Sequence, residues 1–306
     1  MHSFLKTIGF SAIEDRGSLE ELFRMIIENP TEKKEYEMKN GNRFVEIDKR
    51  FTKSMGIIMR GEMDESGKFY MEHYFPYYKS HVLSSKEDTS IIKRMDTEAY
   101  TGMCDDIRLG VSLIFYLQNV VDFFNEGTNA DRTHMDLSYK AKGGLPSPIY
   151  LSALSLSGKI LLPIERDEIR EKHSNQEMQH RRQLITEAKQ GNQDAIDSLT
   201  IDDIDMYAAI SRRAKKEDIY SIVENSFTPY GSESDNYTIL GTILDVESEV
   251  NEVSKEEIYS LAINCNDLCL QLAINKKDLI GEPAIGRRFK GNVWLQGAID
   301  FSENKY

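Results

Sequence analysis

The binding chemistry of this sequence is concentrated in five side chains near its C-terminal end. A basic loop supplies Arg287, Arg288 and Lys290. The strand pattern that follows carries Trp294, the only tryptophan, and Gln296. Guanidinium groups match carboxylates and phosphates, and an indole offers a flat apolar face. We therefore predict that these five residues form a recognition surface for a small anionic ligand or for an acidic segment of a protein partner.

The strand pattern leaves a second interpretation of Trp294 open. Val293, Leu295 and Ile299 fall on one face of a two-residue repeat. Trp294 and Gln296 fall on the other, polar face. A large amphipathic ring on such a face either binds something or packs against another part of the chain. The alternative to a recognition surface is that Trp294 packs under the N-terminal domain or a loop.

A cluster with metal-binding chemistry is formed by Asp131, His134 and Asp136. Imidazole and carboxylate groups together can hold a divalent cation. The segment around them is predicted to be a loop, and loops are rich in such residues in any case. We therefore expect no metal. The alternative is that these three residues form a metal site.

No motif of a catalytic or nucleotide-binding centre survives inspection. Gly286 and Gly291 have the spacing of a phosphate-binding loop, but Asn292 and Val293 follow where Lys and Ser or Thr are required. Neither Gly-x-Ser-x-Gly nor His-Glu-x-x-His is present. His73 is interpreted as a packed core histidine. We predict no cofactor and no catalytic residue, although catalytic groups can converge from distant positions.

The elements that must position the five residues form a predicted C-terminal β module, 231–306. Two alternating runs, from Ile258 to Asn264 and from Leu268 to Ile274, flank Asn266 and Asp267. Asn and Asp tolerate the left-handed backbone of a hairpin turn. We therefore predict a small antiparallel β-barrel or sandwich.

The N-terminal segment, 1–163, is predicted to be an antiparallel sheet with helices. Ser18 is expected to cap a helix that ends before Pro30. The Asn-Gly pair at 40–41 is a hairpin signal. Gly158 is interpreted as part of another hairpin turn.

Between these two parts lies a predicted helical connector, 164–230. Its first half is mostly charged and rich in glutamine, and apolar residues at helical spacing follow. The three parts together predict an α+β protein.

Composition limits the class of protein. The chain has 306 residues, of which 40% are hydrophobic and 29% charged, as in ordinary folded proteins. A net charge of −13 repels nucleic acid on average. Three cysteines and no export signal favour the cytoplasm. No run of about 18 apolar residues is present, so we expect no membrane insertion.

Several segments carry a resemblance to a known family. They are Met1–Ser11, Leu113–Asn119, Gly281–Gly291 and Trp294–Gly297. Together they resemble a bacterial family of unknown function, mostly of clostridial type, over essentially the whole chain. The resemblance implies a cytoplasmic bacterial protein with no assigned activity, and it brings no functional residues.

We therefore predict a non-catalytic cytoplasmic binding or scaffold protein that uses the Trp294 and arginine surface. The first alternative is an enzyme acting on a small anionic substrate, with Arg287 or Arg288 as the anion clamp. The second is a nucleic-acid-binding β-barrel, by analogy with small barrels that bind strands. The acidic balance of the chain argues against that second alternative.

Overall fold

The structure is a computed structural model, and it describes residues 2–38, 41–94, 98–106, 108, 111–125, 147–164, 179–181, 183–188, 190–215 and 218–301. The chain forms two compact units, Met1–Leu161 with Phe227–Tyr306, and Leu162–Ser226. The sequence pattern placed 1–163 and 231–306 in separate domains. The structure has them in one unit, because strands from both ends of the chain hydrogen-bond in one sheet.

The first sheet has four antiparallel strands in chain order: β1 (Glu32–Glu37), β2 (Arg43–Arg50), β3 (Met55–Met63) and β4 (Phe69–Tyr78). Gly41 has φ of +86° between β1 and β2, as the predicted hairpin requires. Asn40 lies outside the described residues. A bulge follows Arg60, which lies opposite His73. The predicted N-terminal antiparallel sheet is confirmed.

The second sheet contains ten strands: β5 (Thr89–Lys93), β6 (Tyr100–Asp106), β7 (Val111–Leu117), β8 (Ile149–Leu161), β9 (Ser226–Pro229), β10 (Asn236–Val250), β11 (Glu257–Cys265), β12 (Leu268–Asn275), β13 (Leu279–Ile280) and β14 (Arg288–Ile299). β8, β12, β11, β10 and β14 pair in that order, and β14 also pairs with β8. These pairings close a five-stranded barrel. The predicted barrel is confirmed, and it includes one strand from the N-terminal segment.

Helices are fewer than strands in the described residues. A 3₁₀ helix (Ser3–Ile8) and α1 (Arg16–Glu28) precede the first sheet, and α2 (Val120–Asn125) follows β7. α1 is capped by Asp15, which accepts from the Ser18 backbone N–H at 2.9 Å, so Ser18 lies inside the helix that it was predicted to cap. Another 3₁₀ helix (Lys276–Asp278) follows β12.

The Leu162–Ser226 unit is helical in its described part, as the sequence predicted. It contains α3 (Gln193–Arg213) and α4 (Ile219–Ile222), and residues 183–188 are also helical. Among all residues that the structure describes, no helix has both the length and the apolar character needed to cross a membrane.

The two faces of β14 serve two separate cores. Val293 and Leu295 point into a core that includes the barrel interior, together with Leu261 and Leu270. Trp294 belongs to a second core, which the four-stranded sheet and the N-terminal helices share with the outer face of the barrel. Alternation along a strand sends neighbouring side chains to opposite faces. The predicted division of the residues of β14 between two faces is therefore confirmed.

Gly158 does not turn the chain, and the predicted hairpin at this position is wrong. β8 runs without interruption from Ile149 to Leu161. The ring of Phe289 lies directly over Gly158, and a Cβ at this position would be 2.3 Å from Phe289 Cε2. The glycine therefore marks a close approach of a side chain to the strand rather than a turn.

Candidate ligand-binding cleft

The side chains of Trp294 and Gln296 are buried rather than displayed on a surface. Trp294 is 6% exposed and Gln296 is fully buried. The Trp294 ring packs against Phe4, at 5.2 Å between ring centroids, and against Tyr116, at 5.0 Å. Phe4 lies in the N-terminal 3₁₀ helix. The structure thus follows the alternative in which Trp294 packs under N-terminal elements.

The predicted basic residues do not join Trp294. Arg288 pairs with Leu161 and Thr242, whereas Trp294 pairs with Leu154 and Asn236. Six residues of strand separate them by about 20 Å.

The two arginine side chains are also not free to bind an anion, because one is buried and the other is hydrogen-bonded within its own loop. Arg288 is 5% exposed, and its burial lowers its pKa. Arg287 donates from Nη1 to the Glu282 carbonyl oxygen at 2.6 Å. The five predicted residues therefore do not form one surface, because β14 is extended and turns its polar face toward a covering sheet.

One side of Trp294 nevertheless lines a cleft of about 310 Å³. We call it the Trp294 cleft. Its aromatic wall is formed by His2, Phe4, His73, Tyr116 and Trp294, and its polar side by Arg94, Glu233, Asp235 and Asn236. These residues come from the N-terminal segment, from β4 and β7, from the ends of β5 and β10, and from β14. The docking of the first sheet on the barrel brings them together.

The aromatic wall is built around the indole. The His2 ring lies 4.9 Å from the Trp294 ring at an angle of 34°, and the Phe4 ring is inclined at 39°. The His2 backbone N–H donates to the Tyr74 hydroxyl at 2.9 Å, which fixes the start of the chain against β4. His2 and Phe4 are partly exposed, whereas Trp294 is 6% exposed, so most of the aromatic surface open to the cleft belongs to His2 and Phe4.

The charges that line the cleft are largely compensated within it. Arg94 Nη2 lies 2.5 Å from Asp235 Oδ2 and its Nη1 lies 3.8 Å from a Glu233 carboxylate oxygen. Trp294 Nε1 donates to the same Asp235 oxygen at 2.8 Å. The one guanidinium group on the cleft wall is therefore already paired, and it offers little net attraction to an anion.

Three buried polar atoms on the cleft have no hydrogen-bond partner among the described residues. They are His2 Nδ1, His73 Nε2 and Asn236 Oδ1. Leaving a buried donor or acceptor unpaired costs roughly 1–3 kcal/mol. Buried polar groups without partners are rare in folded proteins, so water or another molecule is expected to pair with these three atoms.

Both imidazoles on the cleft are neutral at pH 7. Burial lowers the pKa of His2 to about 4, and the neighbouring His73 adds to this effect. Burial also lowers the pKa of His73 to about 4, with further contributions from the positive charges of Arg60 and Arg94. A neutral imidazole has one donor and one acceptor nitrogen, so each ring accepts either partner according to its tautomer.

Sequence reasoning singled out Trp294 but not the residues that meet it. His2, Arg94, Asp235 and Asn236 are scattered over the chain and have no motif spacing. His73 was interpreted as a packed core residue, and its ring does stack on Phe75, 6.0 Å away, while Nε2 stays unpaired.

The alternative metal cluster Asp131, His134 and Asp136 lies outside the described residues. Within the part of the chain that the structure describes, no group of three or more His, Cys, Asp or Glu residues is arranged to hold a metal ion.

A second cavity of about 160 Å³ lies beside β2 and α2, and its walls include Glu46, Asp48, Tyr77 and Gln118. We call it the Asp48 cavity. The Tyr77 hydroxyl donates to Asp48 Oδ1 at 2.7 Å. Burial raises the pKa of Asp48 to about 6, although the Tyr77 hydroxyl opposes this shift.

These features define an α+β protein with a closed five-stranded barrel, a covering four-stranded sheet, and an aromatic cleft between them. A model of the family described as "Domain of unknown function, E. rectale Gene description (DUF3881)" matches residues 5–297. The chain belongs to this family, so the predicted resemblance is confirmed. No curated protein matches the chain, and neither does any solved structure.

Proposed function

We propose that this protein is a non-catalytic binding protein and that the Trp294 cleft holds a small molecule. The observation that carries the proposal is the set of three unpaired buried polar atoms on one aromatic cleft. A volume of about 310 Å³ falls at the lower end of the roughly 300–1,000 Å³ of small-molecule sites. An apolar wall with a few convergent polar atoms is the usual construction of such sites.

The charges of the cleft favour an uncharged ligand over an anionic one. Arg94 is neutralised by Asp235, and Glu233 adds a second carboxylate. The two histidines contribute no positive charge at pH 7, because their pKa values are about 4. The expected small anionic ligand would therefore meet net negative charge in this cleft.

We also propose a cytoplasmic location, which the cysteines support. Cys104 and Cys265 are buried, Cys269 is partly buried, and all three are free thiols. Unpaired cysteines are typical of proteins in reducing compartments. Fractionation of native cells with an antibody tests this location, and recovery of the protein outside the cytoplasm would contradict it.

The binding proposal is tested with Trp294 itself, since it is the only tryptophan of the chain. A library of soluble metabolites is screened by thermal shift, and hits are titrated by tryptophan fluorescence. A ligand of the cleft changes the emission of Trp294 and raises Tm. At a ligand concentration about 100 times Kd, the free energy of unfolding increases by about 2.7 kcal/mol.

The matched variants are His73→Phe, which removes an unpaired nitrogen from the cleft, and His81→Phe, which changes an exposed histidine outside it. A true ligand loses affinity for His73→Phe and binds His81→Phe as it binds the unmodified protein. The proposal would be refuted if no compound binds, or if every compound that binds has the same affinity for His73→Phe as for the unmodified protein.

A further inference from the structure

The shape and the hydrogen-bonding atoms of the Trp294 cleft restrict the ligand further than its size does. This inference rests on the proposed binding function and concerns the chemical class of the ligand. Three properties of the cleft indicate that class: the aromatic wall, the unpaired atoms and the charge.

The wall selects a planar ring. The His2 and Phe4 rings are inclined to the indole by 34° and 39°, with centroids 4.9 and 5.2 Å away. His2 and Phe4 are partly exposed, and an aromatic ring placed against either of them gains a ring-to-ring contact that a branched aliphatic molecule does not. Nucleic-acid bases stack favourably on aromatic side chains, whatever their sequence.

The unpaired atoms select a ring whose edge carries nitrogen and oxygen. Asn236 Oδ1 is an acceptor, so it requires an N–H or O–H donor on the ligand. His73 Nε2 and His2 Nδ1 belong to neutral rings, so each takes a donor or an acceptor. A hydrocarbon ring would leave all three atoms unpaired, whereas a nitrogen heterocycle offers the N–H groups and ring nitrogens that such atoms require.

The charge of the cleft selects an uncharged molecule. Asp235, which is 1% exposed, pairs with Arg94 and accepts from the indole N–H, so the positive charge of Arg94 is already compensated. Glu233 lies within 3.8 Å of the same guanidinium group and adds negative charge. A phosphorylated form of the same ring would therefore bind less tightly than the ring alone.

We infer that the ligand of the Trp294 cleft is an uncharged nitrogen heterocycle of the purine or pyrimidine type. It lies on the partly exposed aromatic side chains beside Trp294 and donates an N–H to Asn236, while its other polar edge meets His73 and His2. A cleft of about 310 Å³ accommodates one such ring system together with a small substituent.

The experiment titrates the complete protein with purine and pyrimidine bases, followed by Trp294 fluorescence. Each base is paired with an N-methylated analogue that has the same ring system but lacks N–H groups, and with its nucleoside monophosphate. The parent base is expected to bind about tenfold or more tightly than the methylated analogue, since one lost hydrogen bond to a buried acceptor is worth that much. The monophosphate is expected to bind more weakly than the base.

Two variants test whether Asn236 makes the hydrogen bond to the ligand. Asn236→Leu is expected to weaken the parent base about tenfold while leaving the methylated analogue unchanged. Asn292→Leu is the control, because Asn292 is exposed and its Oδ1 already accepts from the Thr238 hydroxyl at 2.8 Å. The comparison of base with analogue uses the unmodified protein, so it decides the question even if Asn236→Leu does not fold.

The outcomes separate this inference from the proposed function. If no heterocycle binds but another compound does, with binding lost in His73→Phe, the binding function stands and the ligand class is wrong. If bases and methylated analogues bind equally, the cleft recognises shape alone and the inference is overturned. If neither the bases nor the metabolite library produce any ligand, both proposals fail together.

Discussion

Arg60 is fully buried at the contact between the first sheet and the barrel. Its Nε donates to Glu46 at 2.7 Å, and Nη2 donates to the carbonyl oxygens of Leu117 and Gln118 at 3.0 and 2.8 Å. The guanidinium group also lies 4.6 Å from the centroid of the Phe75 ring. One side chain therefore ties β2, β4 and the end of β7 together.

Replacing Arg60 by methionine leaves Glu46 buried without its cation and leaves two carbonyl groups without donors. We expect a loss of about 3–5 kcal/mol in the free energy of unfolding, measured by urea denaturation. Arg16→Met is the control, since the Arg16–Glu20 pair is exposed and contributes less than about 0.5 kcal/mol. A loss below about 1 kcal/mol in Arg60→Met would show that the network contributes little to stability.

The ionisation of Asp48 predicts a pH dependence of stability. Burial raises its pKa in the folded protein from 3.8 to about 6, so the folded state binds the proton more tightly than the unfolded chain does. The resulting stabilisation is complete below pH 4 and is lost as the pH rises through 6. Compared with the unmodified protein, Asp48→Asn is therefore expected to lose less stability between pH 4 and pH 7.5.

Chemical denaturation at a series of pH values measures this difference, which should be on the order of 2 kcal/mol. Tyr77→Phe provides the complementary test, because it removes the hydroxyl that favours the carboxylate and so raises the Asp48 pKa further. Parallel pH profiles for Asp48→Asn and the unmodified protein would contradict the prediction.

At the scale of elements, Gly158 shows how the interior of β8 is packed. A Cβ at this position would lie 2.3 Å from Phe289 Cε2 and 3.2 Å from Ile274 Cδ1. Gly158→Ala is therefore expected to destabilise the protein by about 1–3 kcal/mol through overpacking, measured as a shift of the urea midpoint. The double variant with Phe289→Leu should be destabilised by less than the sum of the two single variants, because the smaller side chain leaves room for the added Cβ. Strict additivity would show that the two residues do not compete for space.

The sequence predicted the faces of β14 correctly because alternation is a local property. Val293 and Leu295 enter the core that includes the barrel interior, and Trp294 points away from it. What covers Trp294 is not local, since His2 and Phe4 come from the other end of the chain. The sequence therefore located the indole and failed to predict the cleft around it.

The misread hairpin at Gly158 has a similar physical cause. Glycine permits a turn and also permits a ring to lie on a strand, and the sequence alone does not distinguish these roles. The Asn266–Asp267 turn was predicted correctly, because both residues adopt positive φ, at 52° and 64°, as their side chains allow. Local backbone chemistry was predictable, and contacts over long sequence separation were not.

At the scale of the whole molecule, β14 is the strand on which the barrel depends. It pairs with β10, with β8 along its full length, and with β7 through Gln296 and Gly297. Removing residues 288–306 is expected to abolish cooperative unfolding, measured by circular dichroism during urea denaturation. Lys290→Gln, in full-length protein, is the control and should keep a single transition. A cooperative transition in the truncated chain would show that the remaining strands close without β14.

The pairing of β8 with β14 also determines when the barrel can close during synthesis of the chain. Ile149 pairs with Ile299, so the strand that begins the ring is translated long before the strand that completes it. Growing polypeptide emerges at about 5–20 residues per second, and during that interval β8 lacks its partner β14, although β12 is synthesised earlier. The ring can be sealed only after residue 299 has left the ribosome. Until then, the edge of β8 that β14 covers in the folded protein has unpaired backbone groups.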